Sequence, residues 1–135
     1  MAGRFHSRAA DTLAHGRRRA QRALSEAEPS RRAFVAEGAR IESDVELQGP
    51  CFVDEGAVVK SGARILPYSV IGRQTHVDEA VVIDDSIIWP NGWIGREAHV
   101  SGAILGRNCH IGRNVSITGA AVLGDKTTLT DYTHL

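Results

Sequence analysis

The chain has 135 residues, of which 42% are hydrophobic and 24% charged, so it has room for one domain of ordinary soluble composition. The formal net charge is zero, but residues 1–34 carry eight arginines against Asp11, Glu26 and Glu28, leaving eight basic and thirteen acidic residues for the remainder: a head of +5 and a body of −5. No apolar run approaches the ~20 residues of a membrane helix or has signal-peptide character, which points to a cytoplasmic protein, and Cys51 and Cys109 form no C-x-x-C pair, so they suggest neither a disulfide framework nor a thiolate zinc site and read as buried small residues.

The first predicted unit is a basic helix and linker over residues 1–32. Within residues 7–28, Leu13, Ala20, Leu24 and Ala27 recur at helical spacing on one side, with Arg8, Arg18, Arg19 and Arg22 largely elsewhere, and Pro29 ends the run. Gly16 costs about 1 kcal/mol relative to Ala and the apolar side is mostly alanine, so such a helix needs something to pack on. Its arginines read as a solvated face balanced by the acidic body, and neither nucleic acid nor a membrane is expected as a partner.

Residues 33–135 are a repeat. From Val35, steps of six reach Ile41, Leu47, Val53, Val59, Ile65, Ile71, Val77 and Ile83; a step of five reaches Ile88, steps of six reach Ile94 and Val100, and a second step of five reaches Leu105. Steps of six then complete the series at Ile111, Ile117, Leu123, Leu129 and Leu135, eighteen anchors that are all Val, Ile or Leu. Two positions before each anchor stands a small or slim residue, as in Ala39, Cys51, Ser69, Ser86 and Cys109. In a strand, residues two apart share a face, so anchor and small residue both point inward and the residue between them points out. Pairs such as Glu55-Gly56, Ser61-Gly62, Arg107-Asn108, Arg113-Asn114 and Gly124-Asp125 lie between the inward pairs as corners. Each hexad is therefore a short strand plus a corner, and a helix, which needs spacings of three and four, is excluded.

This pattern resembles the hexapeptide-repeat family, and the resemblance implies a left-handed parallel β-helix with three hexads per coil. Eighteen anchors then give about six coils, roughly 29 Å tall at ~4.8 Å per strand. The expected fold is an all-β solenoid preceded by one α-helix.

Three faces sort the outward residues. The first face shows Phe34, Phe52, Val70, Ile87, Ile104 and Val122, apolar in every coil. The second, Arg40, Val58, His76, Trp93, His110 and Thr128, and the third, Glu46, Arg64, Val82, His99, Ser116 and His134, read as mixed solvent surfaces. A contiguous apolar strip marks a covered surface, so the first face is the predicted docking or oligomer strip, covered by the N-terminal segment or by a partner subunit.

Catalytic chemistry is sparse. His76 and His110 lie two coils apart, roughly 10 Å, and His99 is on another face, so they cannot share one metal within a chain. The paired histidine spacing of the hexapeptide carbonic anhydrases, which bind metal between subunits, does not occur. No nucleophile elbow, phosphate loop or paired carboxylate appears; neither a catalytic residue, a metal site nor a cofactor is expected.

Two segments sharpen the resemblance: Asp85-Ser86-Ile87-Ile88-Trp89-Pro90-Asn91, and Ala103-Ile104-Leu105-Gly106-Arg107-Asn108-Cys109-His110-Ile111-Gly112. They are similar to the C-terminal β-helix of the sugar-1-phosphate nucleotidylyltransferases, the group of mannose-1-phosphate guanylyltransferase and glucose-1-phosphate thymidylyl- or adenylyltransferase. The helix before the repeat resembles the linker between that family's two domains. The glycine-rich G-x-G-T-R signature of its catalytic domain does not occur in these residues, and the stretch before the solenoid is too short for a nucleotide-binding fold. The resemblance implies a non-catalytic assembly or regulatory module, partnered by its own copies or by a separate catalytic subunit. The alternative is a hexapeptide-repeat acyltransferase using acyl-CoA. Those enzymes throw out a loop to enclose their site, whereas this solenoid has no insertion, and no pocket is expected.

Overall fold

The computed structural model describes residues 32–135; the predicted helix over residues 7–28 lies outside them. The described residues form a parallel β-solenoid of seventeen short strands in three sheets of six, six and five. Every bonded strand pair is parallel and 17 or 18 residues apart, one coil, as from Phe34 to Phe52 or from Val70 to Ile87. On the third face the uppermost position is held only by an isolated bridge between Ser116 and His134, so five coils are complete and the sixth is partial.

The core is the double inward column the hexads predict. Anchors from Val53 to Ile117 are fully buried, interleaved with Ala57, Ala63, Val81, Ala98, Ala103 and Cys109. Burial weakens at the ends: Val35, Leu123 and Leu129 are only partly buried, and Leu135, read as an inward anchor, is 51% exposed, because only one neighbouring coil packs on it.

The corners follow one rule. The third residue after most anchors takes a left-handed backbone, at Gly38, Asp44, Gly56, Gly62, Tyr68, Gln74, Ala80, Asn91, Glu97, Asn108, Asn114, Ala120, Lys126 and Tyr132. In the last full hexads the left-handed residue is therefore Lys126 rather than the predicted Gly124-Asp125 pair. Many of these corners are not glycine and sit in a region that costs an L-residue about 1 kcal/mol or more, offset by backbone bonds that continue up the corner. Examples are Asn108 N donating to Pro90 O at 3.1 Å and Asn114 N donating to Arg96 O at 2.9 Å.

Both five-residue steps fall at one corner, between the third and first faces, in adjacent coils, where Asp85 and Gly102 adopt positive φ one position early. The buried hydroxyl of Ser86 satisfies this tightened corner, donating to Asp84 O at 2.8 Å and accepting from Ala103 N at 3.1 Å. Shortening two successive coils at the same place keeps the first face in register through Val70, Ile87 and Ile104.

Candidate functional site

Because each outward residue sits directly over its counterpart one coil away, the fold turns columns of sequence into strips of surface. On the first face Phe34 pairs with Phe52, Phe52 with Val70, Val70 with Ile87, Ile87 with Ile104, and Ile104 with Val122. Phe34, Phe52, Ile87, Ile104 and Val122 are all exposed, the last at 71%, and Val70 is half-buried between its neighbours. All six predicted strip residues are thus one continuous apolar surface in the described chain, open to solvent.

The second face is more organised than a mixed solvent surface. His76, Trp93 and His110 occupy successive coils and their rings stack: centroids are 3.9 Å apart with planes within 6° for His76 and Trp93, and 6.2 Å apart within 5° for Trp93 and His110. Beside this ladder, at the corner toward the third face, lies a cleft of about 290 Å³ lined by Trp93, His110, Arg96, Arg113, Asp78 and Asp131. Contrary to the expectation that an uninterrupted solenoid offers no pocket, the cleft arises without any loop. Its cause is Gly95 and Gly112, stacked one above the other where other coils carry Asp78 or Lys60, so that no side chain fills the corner. A Cβ on Gly95 would stand 2.6 Å from Gly112 C and 2.7 Å from Arg113 N, so this spacing requires glycine.

The electrostatics of the cleft are mixed. Arg113 Nε lies 3.4 Å from Asp131 Oδ2, its guanidinium sits 5.8 Å from the centre of the Tyr132 ring, and its backbone N–H donates to Asp131 Oδ1 at 3.0 Å. Partial burial against the stack holds the His76 imidazole below the ordinary histidine range, favouring its neutral form, although the charge of Asp78 pulls the other way. Lower on the same corner the hydrogen bond from Lys60, followed by that from the Ser61 backbone N–H, keeps Glu42 below the usual carboxylate range, with Lys60 Nζ 3.1 Å from Glu42 Oε2.

The third face holds an ordinary surface pair, Arg64 Nε 3.0 Å from Glu46 Oε1, with Gln48 also donating to Glu46. His99 and His134 lie on this face, each one coil from Ser116, and do not join the second-face histidines. Among the described residues no three His, Cys, Asp or Glu side chains are grouped so as to hold a metal, and no helix is long and apolar enough to cross a membrane. The signal that could have exposed the ladder was present in the sequence: aromatic rings at a spacing of 17 in one outward column.

Among solved structures, the fold is similar to the acetyltransferase domain of PglB from Neisseria gonorrhoeae FA1090, solved in complex with acetyl coenzyme A. The TM-score is 0.65 at 19% identity, over 89% of this chain and 64% of that one. It is also similar to a mutant of perosamine N-acetyltransferase from Caulobacter crescentus, solved with CoA and GDP-perosamine, with a TM-score of 0.49 at 17% identity over 76% of this chain and 51% of that one. The chain thus spans between half and two thirds of the length of these two structures, and the likeness to the first is one of fold. No curated protein matches the chain in sequence. Residues 47–135, most of the solenoid including both shortened hexads, match the family model described as the GMPPB C-terminal domain. The chain belongs to the GMPPB C-terminal domain family.

Proposed function

We propose that this chain is a non-catalytic β-helix module of a nucleotide-sugar pyrophosphorylase type protein, and that it acts by docking through its first face. The observation that carries this reading is the six-residue apolar strip, in register and exposed, on a solenoid of that family. All but Val122 are already more than half covered by their own coils, so burying what remains of five such side chains contributes about half of the 1.5 to 3 kcal/mol of full burial each, roughly 5 kcal/mol per copy before ordering costs. The assembly sits in the cytoplasm, and its chemistry belongs to whatever catalytic domain the module serves.

The test is the double variant Ile87→Glu/Ile104→Glu. It sets two charges in the middle of the strip and leaves the inward anchors untouched, so circular dichroism should be unchanged while the assembled mass in light scattering falls. Unchanged mass and unchanged protease sensitivity would remove the main support for a docking role. The pure chain is also expected to turn over no sugar 1-phosphate with a nucleoside triphosphate, and turnover would refute the non-catalytic reading.

A second reading, an acyltransferase using acyl-CoA, is favoured by the cleft, where the His110 imidazole, a side chain able to serve as general base, lies with Trp93 beside Arg96 and Arg113. Saturable calorimetric binding of acetyl-CoA at micromolar concentration, lost in Arg96→Ala, would establish it over the docking module.

A further inference from the structure

The strip on the first face tapers. It begins with Phe34 and Phe52, passes through Val70, Ile87 and Ile104, and ends with Val122. Its rim along the corner toward the second face is also graded. Glu37, Asp54 and Glu55 mark the first two coils, exposed Arg73 the third, Trp89 the fourth, Arg107 the fifth and the adjacent Asp125 and Lys126 the sixth, with the Arg107 guanidinium 5.4 Å from the centre of the Trp89 ring. The opposite rim shows Pro50, Tyr68, Asp85 and Gly102 leading into the second to fifth coils.

Building on the docking role assigned to this face, we propose that its partner is a second copy of this chain. The two copies are related by a two-fold axis lying across the strip between Val70 and Ile87, so that the solenoids run antiparallel. A closed two-fold contact makes a surface complementary to itself. This operation sets Phe34 against Val122, Phe52 against Ile104, and Val70 against Ile87. Each aromatic ring then meets a smaller aliphatic side chain, which keeps the packed layer even in thickness. The same axis brings the graded rim onto itself: Asp54 and Glu55 face Arg107 of the other copy, Arg73 faces Trp89, and Glu37 faces the adjacent Asp125 and Lys126, whose charges cancel, so the charge complementarity lies in the second and fifth coils. On the opposite rim Tyr68 faces Asp85, within the chemistry of a hydroxyl donating to a carboxylate.

The competing arrangement, a two-fold axis running along the solenoid, does worse on each count. It stacks phenylalanine on phenylalanine and valine on valine. It also sets the graded rim against the opposite one, so that Arg107 meets Gly102 and Glu55 meets Pro50. A face roughly 29 Å tall and ~18 Å across, from strand spacing and rise per residue, buries ~500 Å² per copy. That is ~1,000 Å² in total, near the threshold for a specific interface, so the dimer dissociates in a measurable concentration range.

The experiment is light scattering or sedimentation of the full chain across a concentration series, with Glu55→Lys, Arg107→Glu and the double swap Glu55→Lys/Arg107→Glu, and circular dichroism as the fold control. Each single reversal places like charges opposite each other twice per dimer and is expected to raise the dissociation constant about tenfold, while the double swap returns it to within about threefold of the parent. Should Arg107→Glu alter the circular dichroism, Glu55→Lys alone carries the test, since it must weaken the dimer equally. A parent that stays monomeric throughout, single reversals without effect, or a double swap that fails to recover each overturns the antiparallel dimer. Loss of assembly in Ile87→Glu/Ile104→Glu without any response to the rim reversals overturns this partner and orientation but leaves the docking role standing.

Discussion

The imidazole of His76 lies flat on the indole of Trp93, ring centroids 3.9 Å apart and planes within 6°. Burial, the largest influence, lowers the pKa of His76; the nearby Lys60 also lowers it, and Asp78 and Glu42 partly oppose them. A folded-state pKa below the unfolded value of ~6.5 means that the unfolded chain binds more protons in the window between the two. The stabilisation is therefore present above about pH 6.5 and is lost as pH falls through the folded pKa. In a Trp89→Phe/His110→Gln background, which leaves His76 as the one histidine stacked on Trp93, Trp93 fluorescence should titrate with a midpoint below ~6.5, and His76→Gln should abolish that titration. A midpoint above that value would contradict the assigned environment.

The two shapes of glycine in this fold predict opposite outcomes. Gly95→Ala forces a methyl group to within 2.7 Å of the Gly112–Arg113 backbone, which cannot move aside without breaking the coil. It should cost ~3 kcal/mol or more and distort the cleft beside Trp93. Gly124→Ala meets nothing within 4 Å and should stay within ~0.5 kcal/mol of the parent in urea denaturation. Equal effects would mean that the close approach of Gly95 and Gly112 is not a constraint.

Left-handed corners held by ordinary residues offer a stabilising change. Glu97, at φ 63°, is exposed. Relief of ~1–2 kcal/mol of backbone strain outweighs the ~0.5–1 kcal/mol that glycine's extra unfolded-state freedom costs, so Glu97→Gly should raise stability by up to ~1 kcal/mol. Glu97→Ala, which keeps the Cβ, should not. A thermal midpoint lowered by the glycine variant would show that the corner is unstrained.

Cys51 is 5% exposed, and burial pushes its thiol up to about 12. Since the thiolate is the reactive species, Cys51 should resist alkylation at pH 8 in the folded protein and react on unfolding. Cys109 is buried as well. Rapid modification of either in native buffer would contradict the packed inward column.

The anchors and their small partners were readable because a hexad repeats one steric requirement, an inward pair, and Ile65 or Ile111 satisfies it regardless of what lies outside. The outward apolar column was readable for the same reason: its spacing of 17 or 18 is the coil length. The cleft was not. It depends on an omission, two stacked glycines, and on ring planes aligning between His76, Trp93 and His110, neither of which hydrophobic periodicity registers. Nor was the exposure of Leu135 legible, because a periodic column does not state how many neighbours cover its end.

The uniform distance of 17 or 18 residues between bonded strands also bears on how the chain folds. Loop closure costs the same at every step, so no strand pair waits on a distant one, and a nucleus of two coils can form anywhere and grow by addition in either direction. The most completely buried anchors, from Val53 to Ile117, mark the centre of that growth. Amide hydrogen exchange should accordingly be slowest around Ile71 to Leu105 and quicken toward both ends, a gradient of opening rather than a single cooperative threshold.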